Sequence, residues 1–338
     1  MKSQAVVSVD PKNARVVGEH AYDRPRRACR FDRSGRFLFS GGDDNLVRRW
    51  DLKNNEHETY EGHESWVLSF AFPSDGGTVI SGGYDGRLLW WDLEGPASKP
   101  QAAVDAHKGW IRSMTLSPDG KWLATCGNDH LVKVWSTATR ELVQELAGHT
   151  CHVYSVAFHP GGMSLVSADH LGIIREWVVT SGKERRQLDA SPLYTWHKGY
   201  RAAAGGVRGL GFSPDGRWLA GCGLTEATDT FGQVVHPAVV VLDWASGKQA
   251  RVQRSRGNEK GVAWGVTFHQ SGAFHAAVSG GRDAKHLYFL KPDADKPFHT
   301  MSLPSAGRDL AMHPDGSRIA IAHFDNRIRV VNLAKAKP

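Results

Sequence analysis

Residues 81–92 read SGGYDGRLLWWD. Two glycines, an Asp and a third glycine precede a short apolar run, two adjacent Trp and another Asp. Met once, such a stretch suits a phosphate cradle or a metal loop; met repeatedly, it is a unit of architecture. It recurs as SGGDDNLVRRWD (40–51), TCGNDHLVKVWS (125–136), SADHLGIIREW (167–177) and SGGRDAKHLYF (279–289). Fainter copies lie at 221–243 and 321–332. The equivalent positions are Ser40, Ser81, Thr125, Ser167, Gly221, Ser279 and Ile321, spaced by 41, 44, 42, 54, 58 and 42 residues. A period near forty, met seven times, implies an array of like units.

The chain has 338 residues, ordinary for such an array, and is 41% hydrophobic, enough for a sizeable core. Its 42 Lys and Arg against 35 Asp and Glu leave a net charge of +7. That excess suits an anionic partner and equally suits a plain soluble surface. Cys29, Cys126, Cys151 and Cys222 show no metal-type spacing and sit in or beside expected strands, so they read as free thiols. No signal-like segment opens the sequence and no run has the ~18 apolar residues of a membrane span. A cytoplasmic monomer is the expectation.

Each unit carries a tight-turn sequence between two apolar stretches: DRSG (32–35), PSDG (73–76), SPDG (117–120), HPGG (159–162), SPDG (213–216), HQSG (269–272) and HPDG (313–316). Pro presets φ, Asp bonds back to the chain and Gly accepts positive φ. With strands expected at 67–72, 77–80 and 87–91, and a fourth as at 57–61, each unit holds four short antiparallel strands. That describes a propeller blade.

The order of residues within a unit resembles the WD-repeat (β-transducin-like) propeller family. Gly62-His63 precedes Ser81, Asp85 and Trp91-Asp92, and the third unit repeats the spacing with His107, Thr125, Asp129 and Trp135. The resemblance covers almost the whole chain, with repeats near 18–52, 61–93, 105–137, 147–179, 197–244, 255–290 and 298–333. It implies an all-β, seven-bladed propeller of four-stranded antiparallel blades, closed by an N-terminal strand on the last blade. It also implies a buried network in which Trp, Ser or Thr, His and Asp satisfy one another, a role that stands against a catalytic Ser-His-Asp reading because the set recurs.

Some units depart from the pattern. In the first, Ser40, Asp44 and Trp50 are present but His20 sits two residues early; in the fourth, His149, Ser167 and Trp177 keep register while Leu171 fills the Asp slot. The fifth has Gly221 and Leu242 at the Ser and Trp slots, the sixth keeps Ser279 and Asp283 with Phe289 for Trp, and the seventh keeps only Asp325. Units five to seven should rely on apolar packing. The segment 14–17 supplies a closing strand; 5–10 resembles a further strand with no place in seven blades, and 334–338 reads as a frayed tail.

Four residues before Phe31, Phe72, Leu116, Phe158, Phe212, Phe268 and Met312 stand Arg27, Leu68, Arg112, Tyr154, Arg208, Trp264 and Arg308. In the family this position lies at the channel entrance. Arg27, Arg112, Arg208 and Arg308 could there hold a carboxylate or phosphate between the flat walls of Tyr154 and Trp264. Alternatively each Arg pairs with an acidic neighbour such as Asp309 or Glu259. Trp66, Trp110, Tyr84, Asn128 and His152 belong to the same face, as partner anchors or as packing over their blades. The loop 223–237 is a candidate arm or a tolerated insertion. The basic groups Arg24, Arg26, Arg27, Arg30, Arg33, Arg36 and Arg251, Arg254, Arg256, Lys260 are scattered by strand alternation, which disfavours nucleic acid. His149-Thr-Cys-His152 lacks further ligands, so no metal is expected, nor any cofactor. The reading is a non-catalytic scaffold for a protein or peptide, with an acidic one favoured. The alternative is an enzyme or small-anion binder at the same Arg-rich mouth.

Overall fold

The Pro-Ser-Asp-Gly turns close hairpins as their chemistry requires. In blade two Gly76 sits at φ 73° in the turn between the first strand, Val67–Ala71, and the second, Thr78–Gly83. The third, Arg87–Asp92, and fourth, Ala102–Asp105, follow in antiparallel order. The computed structural model describes residues 8–95, 99–198, 201–228, 235–255 and 259–335. Seven such four-stranded sheets make a β-propeller. Their strands span 26–60, 67–105, 111–146, 153–189, 209–254, 262–302 and 307–332 for blades one to seven, the last completed by the N-terminal strand. Among the described residues the helical segments are two short 3-10 turns, Pro11–Asn13 and Ser191–Leu193.

Alternation along each strand supplies apolar groups to both faces, and stacked blades bury them. The adjacent tryptophans of blade two show this. Trp91 packs in a core with Phe39, Tyr60 and Phe70, while Trp90 packs with Ile111, Leu123 and Trp135 of blade three. The ring closes where Arg15–Ala21 pairs with Arg327–Asn332, which removes a free sheet edge. The expected strand at 5–10 falls partly outside the described residues. What is described is an isolated bridge from Val9 to Ala334, followed by the 3-10 turn, so no additional strand forms from residue 8 onward. That bridge also holds Ala334, which the sequence had suggested was frayed; residues 336–338 lie outside the described residues.

In blade two His63 Nδ1 lies 2.8 Å from Asp85, its Nε2 2.7 Å from Ser81 Oγ, and Trp91 Nε1 donates to the same Oγ at 2.8 Å. The carboxylate can only accept, so Nδ1 carries the proton and Nε2 accepts the seryl hydroxyl. His107, Asp129, Thr125 and Trp135 repeat this in blade three, with distances of 2.8–2.9 Å. Blade four corrects the expectation for Leu171. Asp169, two residues earlier, bonds His149 Nδ1 at 2.8 Å, and Ser167 joins His149 to Trp177. Blade one corrects His20, whose ring lies tilted against Trp50 with centroids 4.5 Å apart. Tyr22 takes the histidine's place, its hydroxyl 2.9 Å from Ser40 Oγ, while the fully buried Arg26 holds Asp44 with both terminal nitrogens. In blade six, likewise, Ser279 is reached by the Tyr288 hydroxyl, which bonds Glu259.

Two features of the fifth unit departed from expectation. Of the loop 223–237, both ends belong to strands, Trp218–Thr225 and His236–Asp243, and Thr225 pairs with His236; residues 229–234 lie outside the described ones. A separate hairpin, Tyr194–His197 with Ala202–Gly205, precedes the blade, so the repeat boundary expected at 197 falls within that hairpin.

Candidate functional site

The channel-entrance residue of each unit is placed by one backbone device. In six blades the pairing of first and second strands slips by one residue there, skipping Arg27, Leu68, Arg112, Tyr154, Trp264 and Arg308. In blade five Cys222 faces both Arg208 and Gly209. A bulge of this kind leaves the extra residue out of the ladder and re-aims its side chain. Arg27, Arg112, Tyr154, Arg208, Trp264 and Arg308 accordingly line one cavity of about 560 Å³ that runs along the axis. Below them small residues such as Ser69, Ser113, Ser155, Gly209 and Gly265 keep it open. Ser69 also accepts the backbone N–H of Met114 at 3.1 Å and Asp309 that of Cys29 at 3.0 Å, tying neighbouring blades at the axis.

The guanidinium groups and aromatic rings alternate around this mouth. Arg27 lies 3.9 Å over Trp66, Trp66 is tilted 5.1 Å from Tyr84, and Tyr84 stacks on Trp110 at 3.7 Å. Arg112 lies between Trp110 and Tyr154, at 4.5 and 4.6 Å. Arg208 then follows at 4.2 Å from Tyr154 and 5.5 Å from Trp264, and Arg308 at 4.9 Å from both Trp264 and Phe324. Cation–π contact partly replaces lost water, but it leaves the positive charges uncancelled.

What cancels a charge is the residue sixteen positions later, at the tip of the same blade's second strand. Arg27 meets Asp43 there and forms a two-pronged ion pair. Arg112 meets Asn128, whose Oδ1 accepts from its Nε at 2.7 Å. Tyr154 meets His170 and Arg308 meets Phe324. Arg208 donates to the backbone oxygen of Gly205 at 2.9 Å, and its buried Nε has no hydrogen-bond partner. Among the described residues Arg112, Arg208 and Arg308 thus make no ion pair. Burial pulls the pKa of Arg112 and of Arg308 below the ordinary arginine value, with Arg208 adding to the effect at Arg112 and Arg27 at Arg308. His152 and His170 are likewise held below the usual histidine range, by burial first and then by Arg112 and Arg208 respectively.

The alternative partners considered for the Arg ladder are engaged elsewhere: Asp309 with Arg30 and Glu259 with Tyr288. Asp43 was legible as the residue before the blade-one turn, and the constant offset of sixteen is the signal that would have found it. Of the basic group near the N-terminus, Arg26, Arg27, Arg30 and Arg36 are ion-paired. Arg251 pairs with Asp295 and Arg254 with Glu226, and Arg256 lies outside the described residues. His149 belongs to its blade network, and among the described residues no three His, Cys, Asp or Glu are grouped to hold a metal ion. Cys29, Cys126, Cys151 and Cys222 are free, and burial raises their pKa values. No helix among the described residues is long and apolar enough to cross a membrane.

Comparison with known proteins gives a consistent picture. The model of the family described as "WD domain, G-beta repeat" matches residues 14–51, 54–92, 98–136, 140–177 and 191–225, more than half of the chain. Similar curated proteins include Protein groucho of Drosophila melanogaster, 24% identical over 216 residues. Apoptotic protease-activating factor 1 of Rattus norvegicus is 25% identical over 220 residues. These alignments cover 62% and 65% of this chain but only 28% and 17% of the relatives.

Proposed function

This chain belongs to the WD-repeat family of β-propellers, and from that premise we propose that it is a non-catalytic platform binding an acidic protein or peptide at the Arg-lined channel mouth. The observation that carries this reading is the set of three guanidinium groups, Arg112, Arg208 and Arg308, gathered around one cavity with no carboxylate paired to any of them, since the Asp309 that also lines it is held by Arg30. Half-buried cations held near one another repel, and an entering anion relieves both the repulsion and the lost hydration. Carboxylates suit the site because guanidinium forks match them in two-pronged bonds. Arg27 serves as a structural member of the collar, its charge already met by Asp43. Trp66, Tyr84 and Trp110 form the flat sector beside it, a surface for stacking or apolar contact.

A reducing, cytoplasmic setting fits four free thiols, and a monomer fits a ring whose sheet edge is closed. A second reading, a small carboxylate or phosphate held in the mouth, is favoured by the cavity volume of about 560 Å³ alone. Fluorescence anisotropy of a labelled hexaglutamate peptide tests the main reading. Wild type should bind it and a hexalysine control should not, and Arg112→Gln/Arg208→Gln should abolish binding while retaining the fold. A hexaglutamate peptide that fails to bind wild type overturns the proposal. Displacement by phosphate or citrate at low concentration would favour the second reading.

A further inference from the structure

Among the described residues three large aromatic side chains are exposed: Trp110 at 38%, Trp196 at 51% and Phe324 at 52%. Their positions are not scattered. Trp110 lies in the connection entering blade three, beneath which Arg112 sits at 4.5 Å. Phe324 is at the second-strand tip of blade seven, against Arg308 at 4.9 Å. Trp196 is on the hairpin entering blade five, whose Gly205 oxygen takes the bond from Arg208. Arg112 and Arg308 thus each lie against an exposed aromatic, and the hairpin that takes the bond from Arg208 carries the third. Arg27, which has its carboxylate, lies instead against the half-buried Trp66.

The hairpin is built to hold its tryptophan out. Thr195 accepts the N–H of Ala227 at 3.4 Å, so that residue faces the extended ladder of blade five. Its neighbour Trp196, next along a strand, must face away. Ala204 packs with Leu224, Ala227, Val235 and Val262 in a small apolar cluster. The blade-five ladder itself runs on through Gly223–Ala238, Leu224–Pro237 and Thr225–His236, three pairs that raise it by roughly 10 Å. Two chain segments thus brace one raised wall beside the collar.

A phosphate or a single carboxylate in the mouth would engage the guanidinium groups and leave all three aromatics in water. Exposed aromatic side chains grouped on the face of a charged cavity mark a macromolecular contact, in which large rings supply buried apolar area that a small anion cannot use. Resting on the acidic-partner reading above, we infer that the partner is a protein segment with acidic residues at its centre and apolar side chains flanking them. The acidic centre enters the collar, and the flanks lie on Trp196 and its counterparts Trp110 and Phe324.

Two labelled peptides test this, a hexaglutamate core alone and the same core with Leu-Phe flanks at both ends. The flanked peptide should bind wild type roughly tenfold tighter or more. Trp196→Ser should remove much of that gain while leaving the bare core's affinity unchanged, and Val17→Ser, exposed on the outer strand, should change neither. Equal affinity of the two peptides for wild type overturns the inference while leaving the acidic-partner reading standing, as does an unchanged gain in Trp196→Ser. Equal weakening of both peptides by Trp196→Ser also overturns it, because the residue then only supports the collar. If neither peptide binds, the acidic-partner reading falls first and the inference with it.

Discussion

Replacing Asn128 by Asp would put a carboxylate where blade one already has Asp43, sixteen residues after the collar arginine. The side chains differ by one group, and Arg112 Nε already donates to Asn128 Oδ1 at 2.7 Å, so the geometry is in place. Two unit charges about 4 Å apart attract by about 4 kcal/mol at an effective dielectric near 20. Desolvation offsets part of this, and a hydrogen bond to a charged group contributes about 1.5–3 kcal/mol net. An acidic peptide competing for Arg112 should lose a similar amount, so its affinity should fall roughly 10- to 100-fold. Asp43→Asn is the reciprocal change: it frees Arg27 and should tighten the same peptide. Anisotropy titrations of hexaglutamate at low and high salt measure both, with the difference shrinking as salt screens the exposed part of the interaction. If Asn128→Asp folds normally and binds the peptide as wild type does, the offset rule does not govern the collar charge.

Three further outcomes follow from the blade framework. Ser81→Ala leaves both His63 Nε2 and Trp91 Nε1 buried without a partner and should cost about 2–4 kcal/mol in urea unfolding; Ser40→Ala, which strands only Tyr22, should cost less. Gly35 and Gly76 sit at φ 74° and 73° in equivalent turns, but a methyl on Gly35 would overlap the His313 imidazole whereas one on Gly76 meets nothing within 4 Å. Gly76→Ala should therefore cost about 1 kcal/mol of backbone strain, and Gly35→Ala distinctly more, read as a larger fall in thermal midpoint. Burial lowers the pKa of His275 to about 3 and of His323 to about 4. The unfolded chain then binds protons that the folded one does not, so stability should be full above pH 6.5 and decline as pH falls toward those values. His275→Gln should flatten that slope in denaturation series; an unchanged slope would locate the effect elsewhere.

The blade count, the strand order and the networks of blades two and three were legible because each depends on residues close in sequence and repeated. Ser81, Asp85 and Trp91 share one hairpin, so their spacing is set by strand geometry and survives as a pattern. The network partners of blades one and four depart from the repeat's spacing for a local reason. Tyr22 can reach Ser40 as a histidine would, and Asp169 reaches His149 from two residues earlier, so different residue types close the same polar circuit. The Arg ladder could likewise be aligned from the first strands. Which arginines keep their charge could not be judged from that ladder alone. It is decided across the hairpin, where Asp43, Asn128 and Phe324 meet Arg27, Arg112 and Arg308, and across blades, where Tyr154 lies between Arg112 and Arg208.

The raised wall of blade five was hidden for a different reason: the hairpin 194–205 and the extended ladder lack the repeat's pattern, and only their packing around Ala204 reveals them as one body. Sequence by itself determined the ring, since periodic hydrogen-bonding and turn chemistry act over short distances. Tertiary structure decided the site, since charge is cancelled or retained according to what lies across the mouth, and neighbours there come from every blade.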